Sequence, residues 1–314
     1  MKLCVIIPAY HEEATIQEVI TRVPRRIAGV SEVKVVVVDD GSSDQTATLA
    51  QAAGADLVIA QKQHLGLGQT LNAGLEKATE LGADVVVHLD ADAQYQPEEI
   101  PRLLAPILNQ TADVVLGSRF AGNIERMSLL RRAGNRFFTF IVRTLSGVPI
   151  SDAQTGFRAL SAEAAMRLYF LSSYTYTQEM IIQAANKQLR IAEVPCTFTI
   201  RRHGKSRLVR SVWEYGIICL WIVLRTYRDY KPLRFFGPIG LALGTAGLGI
   251  GSFLLSHFLA TGRISPHLPL ALLSVALVLL GVQVVLFAFL ADILSNVRKI
   301  LDKTLYETRK SARR

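Results

Sequence analysis

The chain has 314 residues, half of them hydrophobic, and a formal net charge of +9. That length is too great for one small core and suits one or two domains. Three scattered cysteines, Cys4, Cys196 and Cys219, have no metal-ligand spacing and an odd count, which argues against a zinc site and a disulfide framework.

In chain order, the opening MKLCVIIPAYHEE is no secretory signal, because its apolar stretch is short and runs straight into charge. KLCVIIPAY predicts a strand. EATIQEVITRVPRRI predicts a helix, and EVKVVVVDD a β-branched strand that ends in carboxylates. SDQTATLAQAAG opens on an N-cap and closes on glycine, so it predicts a helix. ADLVIAQ, LGQTLNAGLEKATELG and ADVVVHLD read as strand, helix and strand. QPEEIPRLLAPILNQ is a helix with Pro97 near its first turn, and ADVVLGSRF is a further strand. This alternation predicts a mostly parallel sheet covered on both faces, with ligands at the carboxyl ends of the strands. Residues 121–188 read as helical, and RIAEVPCTFTI returns as a strand.

RLVRSVWEYGIICLWIVLRTYRDY has an apolar centre flanked by arginines and predicts an amphipathic helix on a membrane surface. Residues 235–262 and 264–291 contain no Asp, Glu, Lys or Arg. A bilayer core needs roughly 20 apolar residues in a helix, so spans are predicted over 235–259 and 268–290. Basic residues crowd the outer flanks of both spans, and the loop between them holds one arginine. The positive-inside bias then puts both chain ends in the cytoplasm, as in a multi-pass protein of the cell membrane. Basic charge placed beside membrane segments suits anionic lipid or a lipid phosphate and argues against nucleic acid. The run GLALGTAGLGIG would let helices pack closely, including those of a homo-oligomer. The C-terminal RKSARR reads as a disordered basic tail.

Asp90 and Asp92 flank one alanine at the end of a buried strand. Two hard oxygen ligands at one turn suit Mg²⁺ or Mn²⁺, with a diphosphate completing the shell and Gln94 offering a carbonyl oxygen. Alone the pattern is weak, because Asp pairs are common in turns. The second acidic strand end, VVVVDDGSSD, raises its weight. Asp39 there can accept from a base or a ribose hydroxyl, while Ser43 and Asp44 read as helix caps. His88, inside a strand, reads as a packing residue; His11 and His64 border the strand-end loops.

VIIPAYHEE, VVVVDDGSSDQT, HLDADAQ, LGSRF, DAQTGFRAL, TQEMII and RRHGKSRL occur in that order. Together they resemble the family 2 inverting glycosyltransferases, most closely the dolichyl-phosphate mannose synthase and polyprenyl-phosphate glycosyltransferase branch, over residues 3–208. The two terminal helices match its membrane-anchored members. The resemblance implies an α/β GT-A fold with four segments: a catalytic domain at 1–207, an interfacial helix at 208–232, a two-helix anchor at 233–292 and a basic cytoplasmic tail at 293–314. It implies that Pro8, Tyr10, Glu12, Val37, Asp39, Asp90, Ala91 and Arg119 bind the nucleotide sugar, and that Asp92 and Gln94 hold the metal. It makes Asp92, Arg201 and Arg207 catalytic; Arg207 stands where many members have lysine, so the charge is kept and the geometry is not.

The reaction implied is transfer of a hexose, from GDP-mannose or UDP-glucose, to a polyprenyl phosphate. Such an acceptor is already ionised near neutral pH, so a strong general base is not required. Glu179 then has a positioning role. Arg131, Arg132 and Asn135 in SLLRRAGNRF are candidates for the lipid phosphate. Other readings are a UDP-N-acetylglucosamine donor, a processive polysaccharide synthase, and a non-catalytic nucleotide-binding subunit. The synthase motif Q-x-x-R-W is absent from the sequence.

Overall fold

The computed structural model describes residues 1–201 and 212–312. They divide into two compact units, Met1–Val223 with Lys303–Arg314, and Leu224–Asp302. The first unit runs β1 (Lys2–Ala9), α1 (Ile16–Arg22), β2 (Glu32–Asp39), α2 (Thr46–Ala52), β3 (Leu57–Ala60), α3 (Leu67–Glu80) and β4 (Val85–His88). A 3-10 turn at Pro97–Glu99 then leads into α4 (Ile100–Leu108), β5 (Val114–Ile124), α5 (Leu129–Ser146), β6 (Arg158–Ser161), α6 (Ala162–Arg167), α7 (Thr177–Asn186) and β7 (Ile191–Phe198). After these come α8 (Val212–Tyr230), α9 (Pro232–Thr261) and α10 (Leu268–Ala312).

The seven strands lie in the order β3-β2-β1-β4-β6-β5-β7. β1 pairs in parallel with β2 and β4, β2 with β3, and β5 with β7. β6 is antiparallel to both of its neighbours. Successive side chains of a strand face opposite ways, and the core divides accordingly. Leu3, Val5 and Ile7 pack under α1, α2 and α4; Cys4 and Ile6 pack against α3, α6 and α7. Burial on both faces is what the unbroken Val and Ile runs predict.

The 121–188 stretch differs from its sequence reading in two places. β5 continues to Ile124, and RALS forms β6. A four-residue strand is too short to show a period of two, and it owes its conformation to pairing on both edges. The helices between have ordinary local causes. Ser128 caps α5 by accepting from the Arg131 amide, and Gly147, left-handed at φ 75°, ends it. Ser161 caps α6 in the same way.

α8 has a buried side and an exposed apolar side. Cys219 and Val223 are buried, and Tyr215 donates to Gln154 Oε1 at 2.8 Å. Ile217, Leu220 and Trp221 are exposed on another side.

In the second unit, α9 and α10 are long and apolar enough to cross a membrane. The small residues of α9 are used inside the chain. A Cβ added at Gly247 would lie 2.8 Å from the Ser274 carbonyl, and one at Gly281 would lie 2.6 Å from the Gly244 nitrogen. Ser274 Oγ donates to the Gly247 carbonyl at 2.7 Å. Gly240, Gly247 and Gly251 of that run face the chain's own neighbouring helix, whereas a Cβ at Gly249 would meet nothing within 4 Å. α10 has 45 residues, about 67 Å at the rise of an α-helix, against a hydrocarbon core of about 30 Å. The expectation of a disordered tail is corrected: the helix continues past the expected end of the span at 290 and runs on to Ala312. Ile293, Leu294, Val297, Ile300, Leu301 and Leu305 recur at helical spacing with no Gly or Pro to stop it.

Candidate active site

β1, β2 and β4 end side by side, and their ends collect the acidic residues. Asp39 closes β2 and is buried; Ser42 donates to its Oδ1 through both amide and hydroxyl. Asp40, next in line, clamps a loop. It accepts from the Leu65 and Gly66 amides at 2.8 and 2.9 Å and lies 2.9 Å from His64 Nδ1. His64 in turn stacks on Tyr10, with ring centroids 4.1 Å apart. Tyr10, Asp39 and His64 thus share one rim. Pro8 and Val37 stay within the strands. Val37 has no exposed surface and packs in the core, so the structure does not bring it to the pocket wall expected for it.

Beyond β4 the chain turns through Ala93, which is left-handed at φ 58°. The turn presents Asp90 and Asp92 half-buried. Ala91 is buried, and its carbonyl accepts from Thr15 at 2.7 Å. Gln94 Nε2 donates to the Thr199 carbonyl at 3.0 Å, which leaves its carbonyl oxygen as the end able to ligate. Gly156 makes room for the corner: a Cβ there would overlap the Asp90 carboxylate and push it aside. Burial first raises the pKa of both aspartates, and for Asp92 the neighbouring Asp90 adds to it. Such a corner calls for positive charge.

Arg201 supplies it in this structure. Its guanidinium reaches Glu12 Oε2 at 2.7 Å and Asp92 Oδ2 at 3.4 Å. Among the described residues no three His, Cys, Asp or Glu form a ready metal cage. A pair of repelling carboxylates with an amide oxygen alongside is nonetheless a set that fits Mg²⁺ or Mn²⁺ once phosphate oxygens join it. A cavity of about 280 Å³ opens beside Asp92 and is lined by Thr15, Glu18, Arg22, Ala93, Gln96 and Thr199. Arg207 lies outside the described residues.

A second cavity, about 350 Å³, is lined by Arg119, Phe120, Gly122, Ile124, Glu125, Arg126, Met127 and Arg132. Two residues expected at separate sites meet here. Arg119 is held by Asp152 through two bonds of 2.7 and 2.8 Å, and it is close enough to Asp90 to pull that carboxyl's pKa down. It therefore connects the acidic corner with the basic cavity. Arg132 lines the cavity, but Arg131 does not, and Asn135 turns to the Met127 sulfur. Glu179 is buried on α7 and accepts from the amides of Leu171 and Ser172 at 3.1 and 3.2 Å and from Gln183. It positions the loop before α7.

Three participants escape a reading of the sequence. Arg126 enters the cavity from an unremarkable loop. Asp152 lies at the start of DAQTGFRAL, where only folding reveals that it orients Arg119. Arg158, in the same segment, is fully buried and donates to three carbonyls, of Ala153, Thr155 and Thr177. Its charge also lowers the Asp90 pKa. His88 behaves as the packing residue expected. It bonds Gly156 and Tyr176, and burial pushes its pKa down to about 4.

The model of glycosyl transferase family 2 matches residues 4–169. Glycosyltransferase AglJ of Haloferax volcanii is 30% identical over 97% of each chain. Undecaprenyl-phosphate mannosyltransferase of Micrococcus luteus is 32% identical over 72% of this chain and 98% of its own. Among solved structures, glucosyl-3-phosphoglycerate synthase from Mycobacterium tuberculosis, in complex with Mn²⁺, uridine diphosphate and phosphoglyceric acid, superposes with a TM-score of 0.58. It is 25% identical over 72% of this chain and 78% of its own. The chain belongs to glycosyl transferase family 2 and carries the GT-A type of sheet.

Proposed function

We propose that this glycosyltransferase moves one hexose from a nucleotide sugar to a polyprenyl phosphate, with inversion, at the cytoplasmic face of the membrane. The observation that carries the reading is the pairing of two oppositely charged sites in one unit. The acidic corner of Asp90, Asp92, Glu12 and Arg201 adjoins a cavity that gathers Arg119, Arg126 and Arg132. An enzyme joining a metal-bound diphosphate to an anionic acceptor needs both. The relative named for undecaprenyl phosphate adds to its weight.

In the proposed reaction the bond from C1 of the sugar to the diphosphate breaks, and the electron pair leaves with the nucleoside diphosphate. An oxygen of the acceptor phosphate attacks C1 from the opposite face and forms the new bond. No proton has to be removed from a phosphate that is already ionised, which agrees with Glu179 being engaged with loop amides. Asp92 and the Gln94 oxygen would hold a divalent cation, which when bound stabilises the charge growing on the departing diphosphate. Arg201, freed from Glu12 and Asp92, is placed to meet that same charge, with Arg207 as its expected partner. Asp39, Tyr10 and Glu12 take the nucleoside. Arg132, Arg126 and Arg119 hold the acceptor phosphate, with Arg131 and Asn135 in a lesser part. The catalytic domain spans 1–207, α8 lies at the membrane interface, and α9 and α10 anchor it.

The test is incubation of the full-length protein with a panel of labelled nucleotide sugars and polyprenyl phosphate, with and without EDTA. A metal-dependent, chloroform-extractable product is expected from one donor. Nucleotide binding without any lipid product would sink the reading and leave a binding subunit.

A further inference from the structure

The segment DAQTGFRAL runs from the basic cavity to the acidic corner. Asp152 at its start holds Arg119, which lines the cavity. Gly156 backs onto the Asp90 carboxylate. Gln154 stands between them, and its backbone amide donates to Asp152 Oδ1 at 3.1 Å. Its side-chain carbonyl oxygen accepts two bonds of 2.8 Å, one from Nε2 of Gln178 on α7 and one from the Tyr215 hydroxyl on α8. Gln178 is itself held in that sense, because its carbonyl oxygen accepts from Thr177 Oγ1 at 3.1 Å. Tyr215 also lies near enough to Arg119 for each group to influence the other's ionisation. With its oxygen so engaged, Gln154 turns its NH₂ end away from both partners. Nε2 is buried and meets no acceptor among the described residues. Burying N–H donors without a partner is costly, and a native fold that does so needs a reason.

On the reading above, the diphosphate and its cation belong to the corner and the acceptor phosphate to the cavity. The sugar in transfer then lies between the two, where Gln154 stands. A neutral amide suits a neutral hydroxyl, since the anionic groups already have arginines and a cation. We propose that Gln154 Nε2 donates to one hydroxyl of the transferred hexose and so helps to select the donor. Tyr215 and Gln178 hold the amide in the donating sense. The inference rests on that assignment of corner and cavity. Nε2 has no solvent contact in this structure, so the sugar reaches it only after a neighbouring side chain shifts, as Arg201 must shift for the cation. A buried donor aimed at a hydroxyl discriminates well, because a sugar lacking that hydroxyl leaves the amide unpaired.

The test titrates the full-length protein, with Mn²⁺ present, with UDP, UDP-glucose, GDP and GDP-mannose, and then with the monodeoxy forms of the donor that binds. One monodeoxy donor is expected to bind the wild type roughly tenfold more weakly than its parent, the loss of one hydrogen bond. Gln154→Glu keeps an oxygen for Tyr215 and Gln178 and loses the N–H donor. It should bind the parent donor roughly tenfold more weakly than the wild type does, bind that one deoxy donor with no further loss, and bind the nucleoside diphosphate unchanged. Gln154→Met adds no charge beside Arg119 and should repeat the pattern. Wild-type affinity of both variants for the parent donor overturns the proposal. So does a loss that is the same for the parent and for every deoxy donor, or one that extends to the diphosphate alone. A raised KM for polyprenyl phosphate with donor affinity intact also overturns it, because the amide would then serve the acceptor. If the wild type binds neither diphosphate nor nucleotide sugar, the assignment of the corner itself falls and the proposal falls with it.

Discussion

The acidic corner and the basic cavity lie in the same unit and are built by opposite means. The corner is made from consecutive residues at strand ends, Asp39 after one strand and Asp90 to Gln94 after another, closed by Arg201. Its charges are already paired: Glu12 and Asp92 hold a guanidinium where a cation would sit. The cavity draws on the end of β5, the loop after it and the start of α5, and it holds three arginines against one acid, Glu125. The corner is partly compensated by Arg201, whereas the cavity holds an excess of positive charge. On the proposed reading, the corner as donor site would have to release its own ion pair before it binds, whereas the cavity as acceptor site would attract an anion at once.

The widest gap between the two regions should open with Asp92→Asn. Loss of the carboxylate would remove the main ligand of the proposed cation, and transfer should fall by roughly 10³-fold or more, on the scale of losing electrostatic stabilisation of a leaving group. Circular dichroism and membrane extraction should be unchanged. Activity near wild type would end the assignment of the corner. The cavity should respond more mildly. Arg132→Ala should lower kcat/KM for the lipid acceptor by roughly ten- to a hundredfold, as for a lost charge-assisted bond to phosphate, with nucleotide affinity intact. Arg132→Lys should recover part of it. A fall in nucleotide binding in Arg132→Ala would mean that the two regions are one site.

The same contrast explains what could be read in advance. The corner was legible because its residues are neighbours in sequence and their spacing states the chemistry, as DADAQ does. The β/α alternation was equally plain in long Val and Ile runs. The cavity was half legible. Arg132 stood out in a basic cluster, but its neighbour Arg131 looked the same in sequence and points elsewhere, because 100° of helical rotation separates them. Arg119 was assigned to the nucleotide, and only the Asp152 clamp shows that it also faces the cavity. Val37 was expected at the pocket; both faces of β2 are covered, and Val37 packs in the core as fully as Val36 and Val38. β6 was missed because its conformation comes from two partners far away in sequence. α10 outran its predicted end because hydropathy marks where a membrane stops, and helical periodicity can continue beyond that.

Arg201 offers a finer probe of self-compensation in the corner. If its guanidinium holds the place of a cation, Arg201→Ala should bind Mn²⁺ more tightly than wild type in the absence of nucleotide, by roughly three- to tenfold, on the scale of one partly exposed ion pair. Calorimetric titration with the metal alone reads this directly. Turnover should fall all the same, because Arg201 is also placed to meet the diphosphate. Weaker Mn²⁺ binding by the variant would mean that Arg201 supports the metal site and does not compete for it.

The smallest effect concerns pH and again separates the corner from its surroundings. Burial and mutual repulsion raise the pKa values of Asp90 and Asp92 above their value in the unfolded chain. The folded form then binds more protons than the unfolded form, so their contribution to stability is greatest in acid and is lost as pH rises from the ordinary carboxylate range toward neutrality. His88 works the other way. Its ring stays neutral down to about pH 4 in the fold, against 6.5 when free, so its contribution is lost as pH falls between those values. The two trends partly cancel in the wild type, and Asp92→Asn removes one of them. Its unfolding midpoint relative to wild type should rise by a few degrees between pH 5 and pH 7.5, on the order of 1 kcal/mol for a domain of this size. Saturating Mn²⁺ with nucleoside diphosphate should shrink that difference at pH 7.5, because the wild type then gains from ligand binding what the variant cannot. A pH-independent difference between the two proteins would mean that the carboxylates at the corner ionise as freely as those on the surface, and that Arg201 neutralises them completely.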